Sequence, residues 1–219
     1  MNSVESNSTQ VSLVNTRHFR LVLIGLLGTL LLLTEPVDAI VDANLTLHMF
    51  QHIALFCLSM VFGYGLERIL VSKLLQLKRI TYVGWRAFTW VMRFNSKTRG
   101  LIFAAVIPAI AFSFWHFPPN FDLAEVNNTA HALEHLCYIV SGSLVGLSIV
   151  AIPRKWKIVL LYFAFMQAGM MGSMMLVWPS YFPIYSASQN LTMDTALMMF
   201  GALGVIGTSS AMLKQLDII

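Results

Sequence analysis

Six stretches of mostly apolar residues, at approximately 19–40, 45–66, 100–117, 129–152, 158–178 and 195–213, limit what this chain can fold into. A helix of roughly 20 apolar residues crosses the hydrocarbon core of a bilayer. Inside that core every backbone amide must be paired within the protein, which favours helices over open strands. The composition agrees. The chain is 57% hydrophobic and 11% charged, where soluble domains carry about 45–50% and about 25%. The expected fold class is all-α, a polytopic membrane bundle of about six transmembrane helices. Disorder is excluded by the hydrophobicity. A disulfide-stapled secreted domain is excluded because Cys57 and Cys137 both sit inside apolar runs.

Basic residues orient such a bundle, since cytoplasmic loops are enriched in Lys and Arg. The segment between the second and third stretches holds Arg68, Lys73, Lys78, Arg79, Arg86, Arg93, Lys97 and Arg99. The fourth–fifth connection holds Arg154, Lys155 and Lys157, the N-terminal flank Arg17 and Arg20, and the C-terminus Lys214. Threading six helices puts all of these on one face. The three opposite loops hold Glu35, Asp38, Asp42, Asp122, Glu125 and Asp194, with no Lys or Arg. The expectation is a multipass protein of the cell membrane with both termini cytoplasmic. The first stretch could be mistaken for a signal peptide, but Thr34-Glu35-Pro36-Val37-Asp38-Ala39 lacks a clean small-x-small cleavage site, so it reads as a retained helix. Residues 1–16 are polar and read as a disordered tail, followed by a single domain over 17–219. The cytoplasmic segment at about 67–99 mixes cations with Trp85, Phe88 and Trp90. That composition suits a helix lying in the headgroup region. It reads either as an extension of the second span with an amphipathic linker or as a surface that docks a partner.

Five of the six histidines fall at one depth in this topology. His48 and His52 open the second span, His131 and His135 open the fourth, and His116 closes the third. Each pair is spaced i, i+4, which puts both imidazoles on one helix face. Charge distribution and histidine spacing are independent signals, and they agree on the outer side. A lone membrane histidine is often a hydrogen-bonding residue between helices. Two pairs and a fifth at one level favour a metal site, because ionisable groups in a bilayer are costly and usually functional. Gln51 and Glu134 occupy equivalent places, one residue before the second histidine of each pair, as ligands or as acceptors that fix an imidazole tautomer. Glu134 is the one acidic residue expected within a span. Imidazole suits copper, zinc, iron and nickel. Bis-histidine haem competes, although the outer loops offer no cation for its propionates. Membrane desaturases also use histidine pairs, but typically about eight histidines on the cytoplasmic side.

The fifth span carries Met166, Met170, Met171, Met174 and Met175. Met170 and Met174 are candidate soft ligands for Cu(I); as gap-filling core residues they would carry no such role. Cys57 and Cys137 read as packed small hydrophobes. Gly142, Gly146, Gly201, Gly204 and Gly207 suit close helix packing, and Pro108 suggests a kink.

His48-x-x-Gln51-His52, Trp115-His116-x-Pro118 and His131-x-x-Glu134-His135 together resemble the CtaG-type cytochrome c oxidase assembly factors. The likeness is closer to their small archaeal relatives, grouped as a domain of unknown function (DUF1404). The matching blocks cover roughly residues 45–150 in the same order. The bacterial relatives usually have about seven spans, and this chain departs from them with six. The resemblance implies copper delivery to the B copper of a haem–copper oxidase. The residues it carries over are His48, Gln51, His52, His116, His131, Glu134 and His135.

The expected function is an outer-leaflet polyhistidine metal site that binds copper for assembly of a respiratory haem–copper oxidase or related copper enzyme. Such a role holds or transfers an ion rather than catalysing turnover. Three alternatives stand beside it: an accessory subunit of a membrane copper enzyme or respiratory complex, a haem-binding electron carrier, and a proton-coupled cation transporter. The expected partners are the lipid bilayer and an oxidase or other copper-enzyme subunit. No nucleophile triad, phosphate loop or dinucleotide fingerprint is apparent. The basic patches fit membrane orientation, not nucleic acid.

Overall fold

The computed structural model describes residues 2–76, 98–178 and 180–215; for 2–15, 72–76, 98, 99, 101 and 103 it describes the backbone alone. Eight helices follow one another among the described residues: α1 (Asn2–Leu32), α2 (Glu35–Asp42), α3 (Leu45–Gln76), α4 (Thr98–Trp115), α5 (Pro118–Val126), α6 (Asn128–Ile149), α7 (Arg154–Val177) and α8 (Ala187–Gln215). The fold is an all-helical bundle. Helix α1 begins at Asn2, so its first turns include the polar stretch expected to be a tail. Most of the expected cytoplasmic segment at 67–99 lies outside the described residues.

Among the described residues four helices are long and apolar enough to cross a membrane, Leu45–Val71 within α3, then α6, α7 and α8, or up to five if the bent pair of α1 and α2 is one span. The expected third span contributes the shorter apolar helix Ala104–Trp115, within α4. The expected first span is not one straight helix. It breaks after Leu32, and α2 leaves at 61° to α1. The cause is local. Thr34 is extended at φ −75°, ψ 138°, and Pro36 follows in the first turn of α2. Proline has no N–H to donate to the preceding turn, so Pro36 cannot continue α1 and is tolerated only in the first turn of a new helix. The Thr34 hydroxyl donates to the Leu31 carbonyl (2.8 Å), satisfying one group freed by the break.

Helices α3 and α6 form the centre, and their contact is set by glycine. A Cβ on Gly142 would fall on the Phe56 carbonyl, one on Gly146 on the Met60 carbonyl, and one on Gly63 on the Ser143 carbonyl. Backbones can approach this closely only where side chains are missing. Phe56 faces Gly142 and Met60 faces Gly146, so the two helices run parallel and their N-termini share one end of the bundle. Helix α1 packs antiparallel on α3 through Gly25 and Gly28. Helix α4 packs on α6, with Phe112 and Tyr138 ring centroids 4.7 Å apart. Helices α7 and α8 form an antiparallel pair joined at Gly169 and Gly201. Gly204 meets Phe165, whereas nothing lies within 4 Å of a Cβ at Gly207, so that glycine is not a packing contact.

Two expectations about side chains are corrected here. Glu67 lies inside the Leu45–Val71 span and is buried, so Glu134 is not the only spanning acid. Cys57 is exposed on α3 instead of packed.

Candidate metal site

Parallel packing of α3 and α6 sets the site, because each helix opens with its histidine pair. Both helices begin from an asparagine. The Asn44 side chain accepts from Leu47 N–H (3.1 Å), and Asn127 accepts from Thr129 and Ala130 N–H (both 3.0 Å). These are N-caps that satisfy orphan donors of the first turn. In each helix the first histidine stands four residues after the cap and the second four further on. The shared pattern Asn-x-x-x-His-x-x-(Gln/Glu)-His therefore places all four imidazoles within two turns of one bundle end.

There the rings crowd together. Centroids of His48 and His52 are 4.4 Å apart, and those of His131 and His135 4.3 Å. Across the helix interface His52 lies 5.5 Å from His135, and His48 lies 5.7 Å from His131. His116, at the end of α4, sits 5.7 Å from His52. The five histidines named from sequence are thus brought to one place. His48, His52 and Glu134 are each 0% exposed.

Carboxylates come in from two short helices. After the bend, α2 presents Asp42 Oδ1 to His48 Nδ1 (3.0 Å) and Asp38 Oδ2 to His131 Nε2 (3.6 Å). Helix α5 starts at the Pro118-Pro119 pair after extended Phe117 and brings Glu125 Oε1 to 3.4 Å from His48 Nδ1. Burial raises the Glu125 carboxyl above its ordinary range. Glu134 Oε1 lies 3.6 Å from His52 Nδ1 and accepts from the Tyr138 hydroxyl (3.1 Å). Gln51 is a brace: its amide donates to the Leu32 carbonyl (2.9 Å), left over at the end of α1, and to Asp38 Oδ1 (2.8 Å).

The segment between α7 and α8 covers the assembly. Tyr185 donates to the Asp42 carbonyl (2.9 Å), and burial pushes its phenol upward. Phe182, fully buried, stacks at 4.1 Å on Phe121, which packs on His48 at 5.4 Å. Asn190 fixes this cover by accepting from Phe182 N–H (3.1 Å) and donating to the Phe182 carbonyl (3.0 Å).

The chemistry of the site lies in what is unpartnered. Buried polar atoms are normally hydrogen-bonded. Among the described residues His48 Nε2, both nitrogens of His52, His131 Nε2, His135 Nε2, Gln51 Oε1, Glu125 Oε1 and Glu134 Oε2 are buried with no hydrogen bond. Such an atom costs about 1–3 kcal/mol when left unmet. Imidazole nitrogens and carboxylate oxygens gathered this way are the donor set of a first-row transition ion. Two groups hold three such atoms within 4.8 Å of one another: His48 with His52 and Glu134, and Asp38 with His131 and His135. Either could hold a metal ion.

His116 belongs to neither group. Its Nδ1 donates to the Phe112 carbonyl (2.8 Å), which leaves Nε2 facing the Met49 sulfur at 3.1 Å. The soft donor near the histidines is therefore Met49, on α3. The candidates Met170 and Met174 are 62% and 53% exposed on the outer surface of α7, away from the cluster. Asp38, Asp42, Glu125, Met49 and Tyr138 were not candidate ligands from sequence. Tyr138 stands four residues after Glu134, a spacing that could have flagged it. Charge segregation had placed the acids of α2 and α5 on the histidine side, but which histidine each one meets depends on helix packing.

Fold and site together define a helical membrane protein with a buried histidine–carboxylate cluster suited to a metal cation. The chain belongs to the family of proteins of unknown function DUF1404, whose model matches residues 23–216. No curated protein and no solved structure matches it.

Proposed function

We propose that this protein holds copper at the outer face of the cell membrane and passes it to a haem–copper oxidase, or a related copper enzyme, during assembly. The observation that carries the reading is the set of buried imidazole nitrogens without hydrogen bonds, surrounded by carboxylates. Ligands must be deprotonated to bind a metal, so copper binding at these imidazoles and carboxylates should release whatever protons they hold. Copper is favoured over zinc by the Met49 thioether against His116 Nε2, since thioethers select soft Cu(I). Haem is disfavoured: Asp38, Asp42, Glu125 and Glu134 ring the site, which attracts a cation and repels propionates. The CtaG-type resemblance of the three histidine blocks supports an assembly role. The segregation of Lys and Arg supports an outer placement with cytoplasmic termini.

The residues divide the work. His48, His52, His131 and His135 supply nitrogen, Glu134 and Asp38 supply charge, and Gln51 and Asp42 orient their neighbours. The test is purification in mild detergent, elemental analysis and an optical spectrum. Copper bound in whole-number ratio without a Soret band is expected. Replacing all four paired histidines with alanine should abolish it. Deleting the protein from its host should lower the copper content of the host's haem–copper oxidase. A Soret band, or absence of copper under both oxidising and reducing conditions, refutes the proposal.

A further inference from the structure

We infer that the cluster is built for two cations, held at different depths: an inner site of His48, His52 and Glu134, and an outer site of Asp38, His131 and His135. This rests on the metal-binding reading above and specifies how many ions the site takes and through which residues.

The two sets share no residue. They are also assembled by different elements. The inner set joins α3 to α6, and the outer set joins α6 to α2 through the bend after Leu32. Each contains two imidazoles and one carboxylate, so each offers the same charge and donor types to one divalent or monovalent ion. A single four-coordinate ion would leave several of these buried donors unmet, whereas two ions account for both groups. The unpartnered atoms fall on both sides: His48 Nε2, His52 Nδ1 and Nε2 and Glu134 Oε2 in the inner set, His131 Nε2 and His135 Nε2 in the outer.

Depth separates them. All three inner residues are fully buried, while the side chains of Asp38 and His131 are 28% and 15% exposed. An ion arriving from outside meets Asp38 and His131 of the outer set, with His135, 4% exposed, behind them. His135 and His131 are then the neighbours of His52 and His48 across the helix interface, at 5.5 and 5.7 Å between ring centroids. The arrangement suits an outer site that loads and an inner site that retains.

The test uses the full-length protein in detergent, stripped of metal and dialysed against copper(II) alone. Copper per chain is counted by elemental analysis, and its magnetic state is read by electron paramagnetic resonance. Two coppers per chain with a spin-coupled signal are expected for the parent. Asp38→Asn sits on the short helix α2, outside the central helix pair. It should leave one copper with the signal of an isolated ion. Glu134→Gln should likewise leave one, held by the outer set. One copper in the parent that either substitution removes refutes two sites while leaving metal binding intact. Two coppers retained by Asp38→Asn refute the outer site. No copper in the parent refutes both this inference and the function it rests on.

Discussion

Gln51→Leu tests whether the bend after α1 is part of the site. The Gln51 amide makes two bonds, to the Leu32 carbonyl (2.9 Å) and to Asp38 Oδ1 (2.8 Å). A neutral hydrogen bond contributes about 0.5–1.5 kcal/mol and one to a charged group about 1.5–3 kcal/mol. Losing both removes roughly 2–4.5 kcal/mol by that arithmetic. Gln51 Oε1, however, is buried and unpartnered, and leucine removes that burden of about 1–3 kcal/mol. The two effects nearly offset, so the net loss of stability should be about 1–2 kcal/mol. For a chain of this size that is a few degrees of melting temperature, at roughly 2–4 °C per kcal/mol. Nothing offsets the effect on Asp38, which loses the group that aims it at His131. Loss of such an orienting partner typically weakens metal affinity 10–100-fold. Copper affinity, read by competition with a chelator, should therefore fall at least tenfold while melting shifts by only a few degrees. Unchanged affinity in the folded variant would refute the brace. A collapse of melting temperature would refute the offset.

Gly142→Ala and Gly146→Ala push a methyl group into the carbonyls of Phe56 and Met60. Overpacking of this kind costs about 1–3 kcal/mol, so melting temperature should fall, whereas Gly207→Ala, with open space around it, should melt like the parent. Met49→Leu keeps volume and removes the thioether beside His116. Copper(I) affinity should drop about tenfold, the low end of the range for groups supporting a metal site, with zinc binding unchanged. Met170→Leu and Met174→Leu, on the exposed face of α7, should leave both affinities as they are. After Cys57 and Cys137 are replaced, a cysteine at Leu123 should react with an impermeant maleimide in intact cells and one at Lys155 should not; the reverse pattern refutes the proposed orientation.

The helical class and the histidine pairs were legible because both depend on local periodicity. About twenty apolar residues make a spanning helix whatever surrounds them, and i, i+4 spacing puts His48 with His52 and His131 with His135 on one face in any helix. The Asn44 and Asn127 caps start both helices at the same distance from their histidines, again a local rule. The methionine stripe left two readings open for a related reason. Helical spacing shows which residues share a face but not what that face meets, and Met170 and Met174 face away from the cluster.

The sequence by itself determined the helices, their apolar faces and which imidazoles travel together. Tertiary structure alone decided that α3 and α6 run parallel in glycine contact, that Asp38 meets His131 and Asp42 meets His48, and that α5 brings Glu125 to His48. Those acids lie 6 to 93 residues from the histidines they approach. No local periodicity links positions so separated; only the packing of helices across the bundle brings their charges within reach of one another.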